Sequence, residues 1–206
     1  MLYGFLQIVF RIFFYIIFRT RVYGRENIPA EGAVILAANH ASNIDPPLMA
    51  SLIERPVSYM AKIELFENPI FGAAIRRCHA FPVKRGASDR GAIKAAVTVL
   101  KEGRVLGLFP EGTRNANDNV LLQPFKSGLY HLAMARPECE LVPVWIHNIQ
   151  RVLPKGRLLP VPMLCSVRFG QPFRGGDFPE KEDFLAFAQA TLLALQPVLR
   201  QEERGL

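Results

Sequence analysis

The sequence predicts an α/β fold: a mixed central sheet of about seven strands flanked by helices, with an N-terminal membrane-associating helical segment. Three observations predict it. Short, continuously apolar runs, typical of strands buried on both faces, alternate with segments of helical periodicity. The 206 residues suffice for one α/β domain with a substantial core. The first eighteen residues, MLYGFLQIVFRIFFYIIF, are far more apolar than the rest.

The predicted strands are short apolar runs bounded by polar or turn-forming residues. They are Val22–Gly24, Ala33–Ala38, Val57–Ala61, Ala80–Val83, Val105–Phe109, Leu141–Trp145 and Leu164–Phe169. The sixth contains Pro143, and a proline within a strand indicates an edge strand, a bulge or a strand end.

Helical periodicity fills the segments between the strands. Two prolines follow Asp45, which predicts a helix with Asp45 as its cap, and Gly103 indicates where the next helix ends. The predicted helices are Leu2–Phe18, Pro46–Glu54, Asp89–Glu102, Ser127–Arg136 and Lys181–Arg200. In such folds sites lie in loops beyond the strand ends, where the polar motifs of this chain fall.

The first predicted helix, Leu2–Phe18, is about 25 Å long, less than the hydrocarbon core of a bilayer. Gly4, Gln7, Arg11 and Tyr15 form a narrow, less apolar stripe, and arginines follow the helix directly. This pattern favours a helix embedded in one leaflet, with the arginines against anionic head groups. The alternatives are a helix packed on its own domain or a partner and, less favoured because of Arg11, a membrane span.

Composition restricts the class of partner. The formal charge of +7 indicates an anionic partner, which could be nucleic acid, an acidic membrane or a phosphorylated substrate. Three widely spaced cysteines without a CxxC pair predict neither a disulfide framework nor a zinc site, and they favour a reducing compartment. Without repeats or a long linker, residues 21–206 are predicted as one domain after a helical segment at 1–20.

The stretch ANHASNIDPP, residues 38–47, places His40 and Asp45 after a buried strand. An imidazole can accept a proton at physiological pH, and a carboxylate on its other nitrogen fixes its tautomer. The alternative is a helix cap beside a histidine that bonds a turn. Ser42 lies in the turn without the glycines of a nucleophile elbow, so the pair would activate a hydroxyl of the substrate.

Two further stretches have residues suited to a phosphate. FPEGTRN, residues 109–115, combines a tight turn with a guanidinium that can bind phosphate in a bidentate manner. CHAFPVKRG, residues 78–86, ends a strand in Lys84 and Arg85. The alternatives are a surface ion pair in the first and a solvated basic face in the second. Other cations join the second stretch in one basic concentration: Arg76, Arg77, Arg90 and Lys94.

These stretches, in this order, resemble the glycerolipid acyltransferase family, and most closely its bacterial 1-acyl-glycerol-3-phosphate acyltransferases. Asn39, His40 and Asp45 match the family pattern NHxxxxD, and FPEGTR is matched residue for residue. AFPVKR matches the second block, with Lys84 where aspartate is common, and the Val-Pro-Val strand matches the fourth. The resemblance extends from about residue 22 to residue 173 and therefore covers most of the chain.

The resemblance implies transfer of a fatty acyl group to a lysophospholipid hydroxyl, with His40 as general base, Asp45 orienting it and no acyl-enzyme. Residues 21–206 would then be an acyltransferase domain that needs no cofactor or metal, on the cytoplasmic side of the cell membrane. The implied partners are lysophosphatidic acid, acyl-CoA or acyl carrier protein, and an anionic membrane surface, but not nucleic acid. The implied substrate-binding residues are Asn39, Arg85, Glu111, Gly112, Thr113 and Arg114.

Three alternatives stay open from the residues. The acceptor could be glycerol 3-phosphate, another lysophospholipid or a lyso-aminolipid. A hydrolase could use the same His40–Asp45 pair on water. A non-catalytic basic protein could bind nucleic acid or a membrane, although the chain has no helix-turn-helix or RNA-binding signature.

Overall fold

The computed structural model describes residues 2–84, 89–115, 117, 120–149 and 164–197. The helices are α1 Leu2–Ile17, α2 Asp45–Leu52, α3 Pro69–Arg77, α4 Arg90–Lys101, α5 Gly128–Ala135 and α6 Lys181–Ala194. The strands are β1 Arg21–Tyr23, β2 Val34–Ala38, β3 Val57–Lys62, β4 Ala80–Val83, β5 Val105–Leu108, β6 Glu140–His147, β7 Ser166–Phe169 and β8 Phe173–Arg174. Short 3₁₀ turns lie at Arg25–Asn27, Ile63–Phe66 and Gly175–Asp177.

The strands form one mixed, mostly parallel sheet in the order β1-β7-β6-β2-β5-β3-β4, with β8 beside β6. Among the described strands, only β6 pairs antiparallel, with β7 and with β8. Strands β6, β2, β5, β3 and β4 therefore end at one edge of the sheet, which we call the carboxyl edge. The prediction of an α/β fold with a mixed sheet is confirmed.

Helices cover both faces of the sheet, as the continuously apolar strands require. On one face α1 and α2 share an apolar cluster with the inner side chains of β2, β3 and β6. On the other, α4, α5 and α6 form a second cluster against the same strands. The connection through α3 runs in the same direction along the sheet as the one through α2. Since such connections are right-handed, α3 lies on the face of α1 and α2.

Helix α1 packs on its own domain through its polar residues. The side-chain amide of Gln7 donates to the Ala50 carbonyl (3.1 Å), and Nε of Arg11 donates to the Ser51 carbonyl (2.6 Å). Both side chains also reach the Ile53 carbonyl. These carbonyls belong to the last turn of α2 and its end, which lack partners within that helix and favour a cation. Most of the apolar circumference of α1 therefore faces outward.

The sequence prediction missed two elements whose sequences carry weak signals, α3 and β8. Helix α3 has Gly72 in its middle and only nine residues, although Asn68 caps it through the Phe71 N–H (2.9 Å) and Pro69 begins it. Strand β8 has two residues and no periodicity. The other predicted strands and helices agree with the structure to within about three residues, the usual uncertainty of element ends, except that α6 ends at Ala194 rather than at the predicted Arg200, which lies outside the described residues.

Pro143 lies in an interior strand rather than at an edge, because β6 has β2 on one side and β7 and β8 on the other. The antiparallel partner of β6 changes at this point, since β7 pairs as far as Val144 and β8 resumes at Leu141. Two residues of β6 thus oppose the three residues 170–172, as in a bulge. The proline is tolerated where the ladder is interrupted, and its carbonyl accepts from the Gly170 N–H (2.8 Å).

Gly107 lets an aromatic ring cross its strand. Tyr59 pairs with Gly107 in the sheet, and its ring occupies the space above the glycine. A Cβ at Gly107 would lie 2.1 Å from Cε1 of Tyr59. The Tyr59 ring in turn lies nearly parallel to that of Phe109, with centroids 6.3 Å apart. An isolated glycine in a strand indicates such a close approach.

We predict that Gly107→Ala lowers the free energy of unfolding by about 1–3 kcal/mol, because the added methyl group displaces Tyr59 in a packed core. Urea unfolding measures the loss. Gly128→Ala is the matched control, since a Cβ there meets no heavy atom within 4 Å. Equal stability of the two variants would contradict the packing described.

Candidate active site

Two of the predicted motifs meet at the carboxyl edge because they follow neighbouring parallel strands. Asn39 and His40 follow β2, and Phe109 to Arg114 follow β5. The N–H of His40 donates to Oε1 of Glu111 (2.8 Å), and the His40 carbonyl accepts from the Asn115 N–H (2.7 Å). The two loops are therefore joined at His40, about seventy positions apart in sequence.

His40 and Asp45 form a hydrogen-bonded pair. Nδ1 of His40 lies 2.8 Å from Oδ2 of Asp45, and the Asp45 side chain is fully buried. The same oxygen accepts from the N–H groups of Ala41 and Ser42, each at 2.8 Å. A carboxylate with three donors on one oxygen is restricted in orientation, and it selects the tautomer with the proton on Nδ1.

Asp45 does not cap its helix as the sequence predicts. It is the first residue of α2, and its carboxylate points back to the preceding turn. The next two residues are prolines without an N–H, and the N–H of Leu48 already donates to the Ile44 carbonyl (3.0 Å). With no donor in the first turn of its own helix, the carboxylate bonds the turn and His40 through Oδ2, while its buried Oδ1 has no hydrogen-bond partner among the described residues.

The ring of Phe109 supports the imidazole from the side of β5. The ring centroids of His40 and Phe109 lie 4.2 Å apart, and the planes are inclined by 23°. Stacking and the Nδ1 bond together fix both the plane and the in-plane rotation of the imidazole. The nitrogen left to accept a proton is Nε2.

Glu111 is a buried brace between loops. Its carboxylate accepts from the His40 N–H through Oε1 and from the Gln123 N–H through Oε2, each at 2.8 Å. The residue is only 1% exposed, and burial raises the pKa of this carboxyl above its ordinary value although both N–H bonds oppose the rise. Both carboxylate oxygens of Glu111 therefore bond backbone N–H groups. In this arrangement Glu111 positions His40.

Asn39 also has backbone partners. Its side-chain nitrogen donates to the Ile146 carbonyl (2.9 Å), and its side-chain oxygen accepts from the Ile146 N–H (2.7 Å). This pair of bonds continues the β2–β6 pairing beyond the end of β2. It places the backbone of Asn39, and hence of His40, relative to the next strand.

Three other predicted binding residues lie on the exposed part of the loop after β5, which we call the rim. Gly112, Thr113 and Arg114 are exposed, and Gly112 has φ of 72°, which favours glycine. Arg85 lies outside the described residues. Lys84 directly follows β4 at the same edge and is exposed.

The predicted basic concentration is divided in the fold. Arg90 and Lys94 begin α4 beside the carboxyl edge, whereas Arg76 and Arg77 end α3 at the opposite edge. They are separated because α3 runs the length of its neighbouring strand. Of these four cations, only Arg90 and Lys94 therefore lie at the edge of the sheet that holds His40.

Three supporting residues were not singled out from the sequence: Phe109 as a stacking partner, Gln123 and Ile146. Gln123 and Ile146 contribute backbone groups, for which side-chain chemistry has no signal. Two features of the sequence could have indicated Phe109: it is the apolar residue directly before the loop, and Gly107 lies two positions before it.

The three thiols offer no nucleophile at His40 in the described arrangement. Cys78 follows α3 at the opposite edge of the sheet, and burial raises the pKa of its thiol. Cys139 and Cys165 are buried, and burial raises the pKa of each to about 12. The thiol of Cys165 donates to the His147 carbonyl at 3.0 Å. The site can therefore act chemically as a base held by a carboxylate, beside an exposed loop with a guanidinium.

Comparison with known proteins gives consistent matches. The model of the Acyltransferase family matches residues 19–147, which include both motifs. The 1-acyl-sn-glycerol-3-phosphate acyltransferase of Bacillus subtilis is 32% identical over 177 residues, covering 82% of this chain and 83% of that protein. The Streptococcus pneumoniae enzyme of the same name is 45% identical over 86 residues, covering 41% of this chain and 33% of its own.

A solved structure has the same fold. The 1-acyl-sn-glycerophosphate acyltransferase of Thermotoga maritima gives a TM-score of 0.79 at 25% identity, over 100% of this chain and 80% of that one.

We predict that Glu111→Gln lowers the free energy of unfolding by about 1–3 kcal/mol, since an amide can accept only one of the two backbone N–H bonds and leaves the other donor buried. Denaturant unfolding measures it. Gln123→Ala keeps the backbone N–H and serves as the control. A purely substrate-binding Glu111 would instead give a change within about 0.5 kcal/mol.

Proposed function

The chain belongs to the Acyltransferase family, and we propose that it transfers a fatty acyl group to the sn-2 hydroxyl of lysophosphatidic acid, making phosphatidic acid. The donor in this proposal is acyl-CoA or acyl carrier protein. The observation that carries it is the His40–Asp45 pair, held at 2.8 Å beside the loop that follows β5. The names of the relatives support the acceptor.

In the proposed reaction His40 is the general base. Nε2 takes the proton of the acceptor hydroxyl while the hydroxyl oxygen forms a bond to the thioester carbonyl carbon. The tetrahedral intermediate then loses its carbon–sulfur bond, and the departing sulfur takes the proton from the imidazolium. Asp45 stabilises the imidazolium through Nδ1. General-base catalysis supplies about 10²–10⁴-fold, so positioning of both substrates must supply much of the remainder.

Direct transfer without an acyl-enzyme is consistent with the groups around His40. Ser42 is buried in the turn, its N–H donates to Asp45, and its oxygen faces the Ile44 N–H at 3.5 Å. The raised pKa values of Cys139 and Cys165 keep these thiols protonated. The acyl group arrives already activated as a thioester, so the proposal includes no cofactor or metal.

The acceptor phosphate would lie at the exposed rim. Arg114 and Arg85 are the proposed cations, with Gly112 and Thr113 allowing close approach to the loop. Glu111 and Asn39 would contribute by holding the backbone on which this rim is built. A bare phosphomonoester, close to two negative charges at neutral pH, suits a basic rim better than a zwitterionic head group.

Membrane association through α1 belongs to the same proposal. Nine large apolar side chains of this helix are exposed: Leu2, Phe5, Ile8, Val9, Phe10, Ile12, Phe13, Tyr15 and Ile16. An outward face of this kind suits the acyl region of one leaflet, on the cytoplasmic side of the cell membrane. Among the described residues, no helix has the length and apolar character needed to cross a bilayer.

An acceptor panel tests the proposal. We expect thiol release from acyl-CoA or acyl carrier protein to depend on lysophosphatidic acid, and to be slower with glycerol 3-phosphate or a zwitterionic lysophospholipid. Equal rates with all acceptors would contradict the substrate. Release of free fatty acid without any acceptor would indicate hydrolysis instead.

We predict that His40→Ala lowers kcat by about 10²–10⁴-fold while the protein still unfolds cooperatively, because Asp45 keeps the N–H groups of Ala41 and Ser42 when the buried imidazole is removed. Asp45→Asn should lower kcat by a smaller factor, since the base remains but loses its charged partner. The control is His131→Ala, an exposed histidine of α5 on the opposite face. Turnover retained in His40→Ala would contradict the mechanism.

A further inference from the structure

A second exposed apolar surface lies outside α1. Leu65, Ile70 and Phe71, which we call the Ile70 patch, have exposed fractions of 43%, 83% and 48%. They belong to the 3₁₀ turn Ile63–Phe66 and the first turn of α3. Exposed apolar side chains of this size concentrated in seven residues indicate a contact surface.

The patch is held in a defined shape. The side chain of Asn68 accepts from the Phe71 N–H (2.9 Å), which caps α3. Gly72 packs against the backbone of Phe66 so closely that a Cβ there would lie 2.9 Å from the Phe66 carbonyl oxygen. Arg76 lies over the Phe66 ring at 4.7 Å. The turn and the helix therefore present their apolar side chains as one unit.

The Ile70 patch lies on the same face of the sheet as α1. Helix α1 begins beside the start of β3, where the Tyr3 hydroxyl accepts from the Val57 N–H, and its C-terminal end meets the end of β6 through Cys165. Helix α3 begins beyond the end of β3 and lies on the same face of the sheet. The ring of Tyr3 also lies 5.0 Å from that of His79, just after α3.

The candidate active site lies between these two apolar surfaces. At the carboxyl edge the strands follow the order β6, β2, β5, β3. The end of α1 adjoins β6 and the Ile70 patch follows β3, so His40 after β2 and Glu111 after β5 lie between them. A flat apolar phase in contact with both surfaces would cover the carboxyl edge around His40.

Charge around the patch favours an anionic surface. The segment 62–84 has four cations, of which Lys62 and Lys84 lie near the start of α3 and Arg76 and Arg77 at its end. All four are exposed. Two carboxylates, Glu64 and Glu67, flank Leu65 in the same segment, and cations exceed them next to the patch by Arg76, which lies over the Phe66 ring. Cations around exposed apolar side chains are the pattern of insertion into a leaflet with anionic head groups.

We infer that the Ile70 patch is a second membrane contact, which enters an anionic phospholipid leaflet together with α1 and holds the carboxyl edge at His40 against the leaflet surface. The inference rests on the proposed function, since it describes how the lipid acceptor reaches the site. The acceptor then presents its hydroxyl and phosphate at the rim while its acyl chain stays in the leaflet. Binding of the acceptor therefore does not require its extraction into water.

Ile70→Glu tests the contact. An acidic residue in the first turn of a helix favours that helix, so the variant should fold normally while placing a negative charge in the leaflet. We expect about tenfold or greater weakening of partition onto vesicles of phosphatidylglycerol and phosphatidylcholine, because burying an isoleucine side chain accounts for a factor of that size. Activity on long-chain lysophosphatidic acid in those vesicles should fall in parallel.

The controls separate the contact from the chemistry. Activity on a short-chain, monomeric lysophosphatidic acid should be unchanged in Ile70→Glu. Ile12→Glu on α1 should weaken vesicle partition as well, whereas Phe187→Glu, an exposed apolar residue of α6 on the other face, should leave it unchanged. Ile70→Trp should be quenched by brominated lipids more than wild type, whose only tryptophan, Trp145, is buried.

Each outcome decides the inference. Partition of Ile70→Glu within about twofold of wild type, or an Ile70→Trp emission that brominated lipids do not quench, would overturn it. Equal loss of activity on monomeric and vesicle-bound acceptors, with partition intact, would assign Ile70 to the reaction instead. If wild type acylates no acceptor, the proposed function fails, and vesicle partition and quenching still decide whether the patch binds a membrane.

Discussion

Hydrogen bonds from backbone N–H groups to two buried carboxylates organise the region around His40. Asp45 receives the N–H groups of Ala41 and Ser42, and Glu111 receives those of His40 and Gln123. A buried carboxylate without donors would be strongly unfavourable, so each loop conformation and its carboxylate stabilise one another. The position of the imidazole follows from both, because one carboxylate holds its ring and the other its backbone.

The parallel sheet makes this arrangement possible. Parallel neighbours end at the same edge, so the loops after β2 and β5 meet without a long connection. The face of the sheet below them is closed by α1 and α2, and α1 uses Gln7 and Arg11 to satisfy the carbonyls at the end of α2. Because the polar residues of α1 are used inward, its apolar residues remain on the surface, as an interfacial helix requires.

The limits of sequence-based prediction are physical. The apolar runs and the paired motifs predicted the sheet, the helices other than α3 and the proximity of His40 to Asp45, since these depend on local periodicity and short spacing. The edge position considered for Pro143 did not occur, because the ladder is interrupted by a neighbouring strand change that only the three-dimensional pairing contains. The cap expected from Asp45 did not form, because the neighbouring prolines offer no donor. The bonding of Glu111 to distant backbone groups also had no local signal.

The sequence by itself determined the α/β class, the order of the elements, the chemical groups at the strand ends and the apolar character of the first helix. Their periodicity and residue types are properties of the chain read in order. Only the tertiary structure decided that Glu111 braces His40, that Asn39 bonds Ile146 and that the Ile70 patch lies across the site from the end of α1. These relations join residues far apart in the chain, and strand order and backbone donors bring them together.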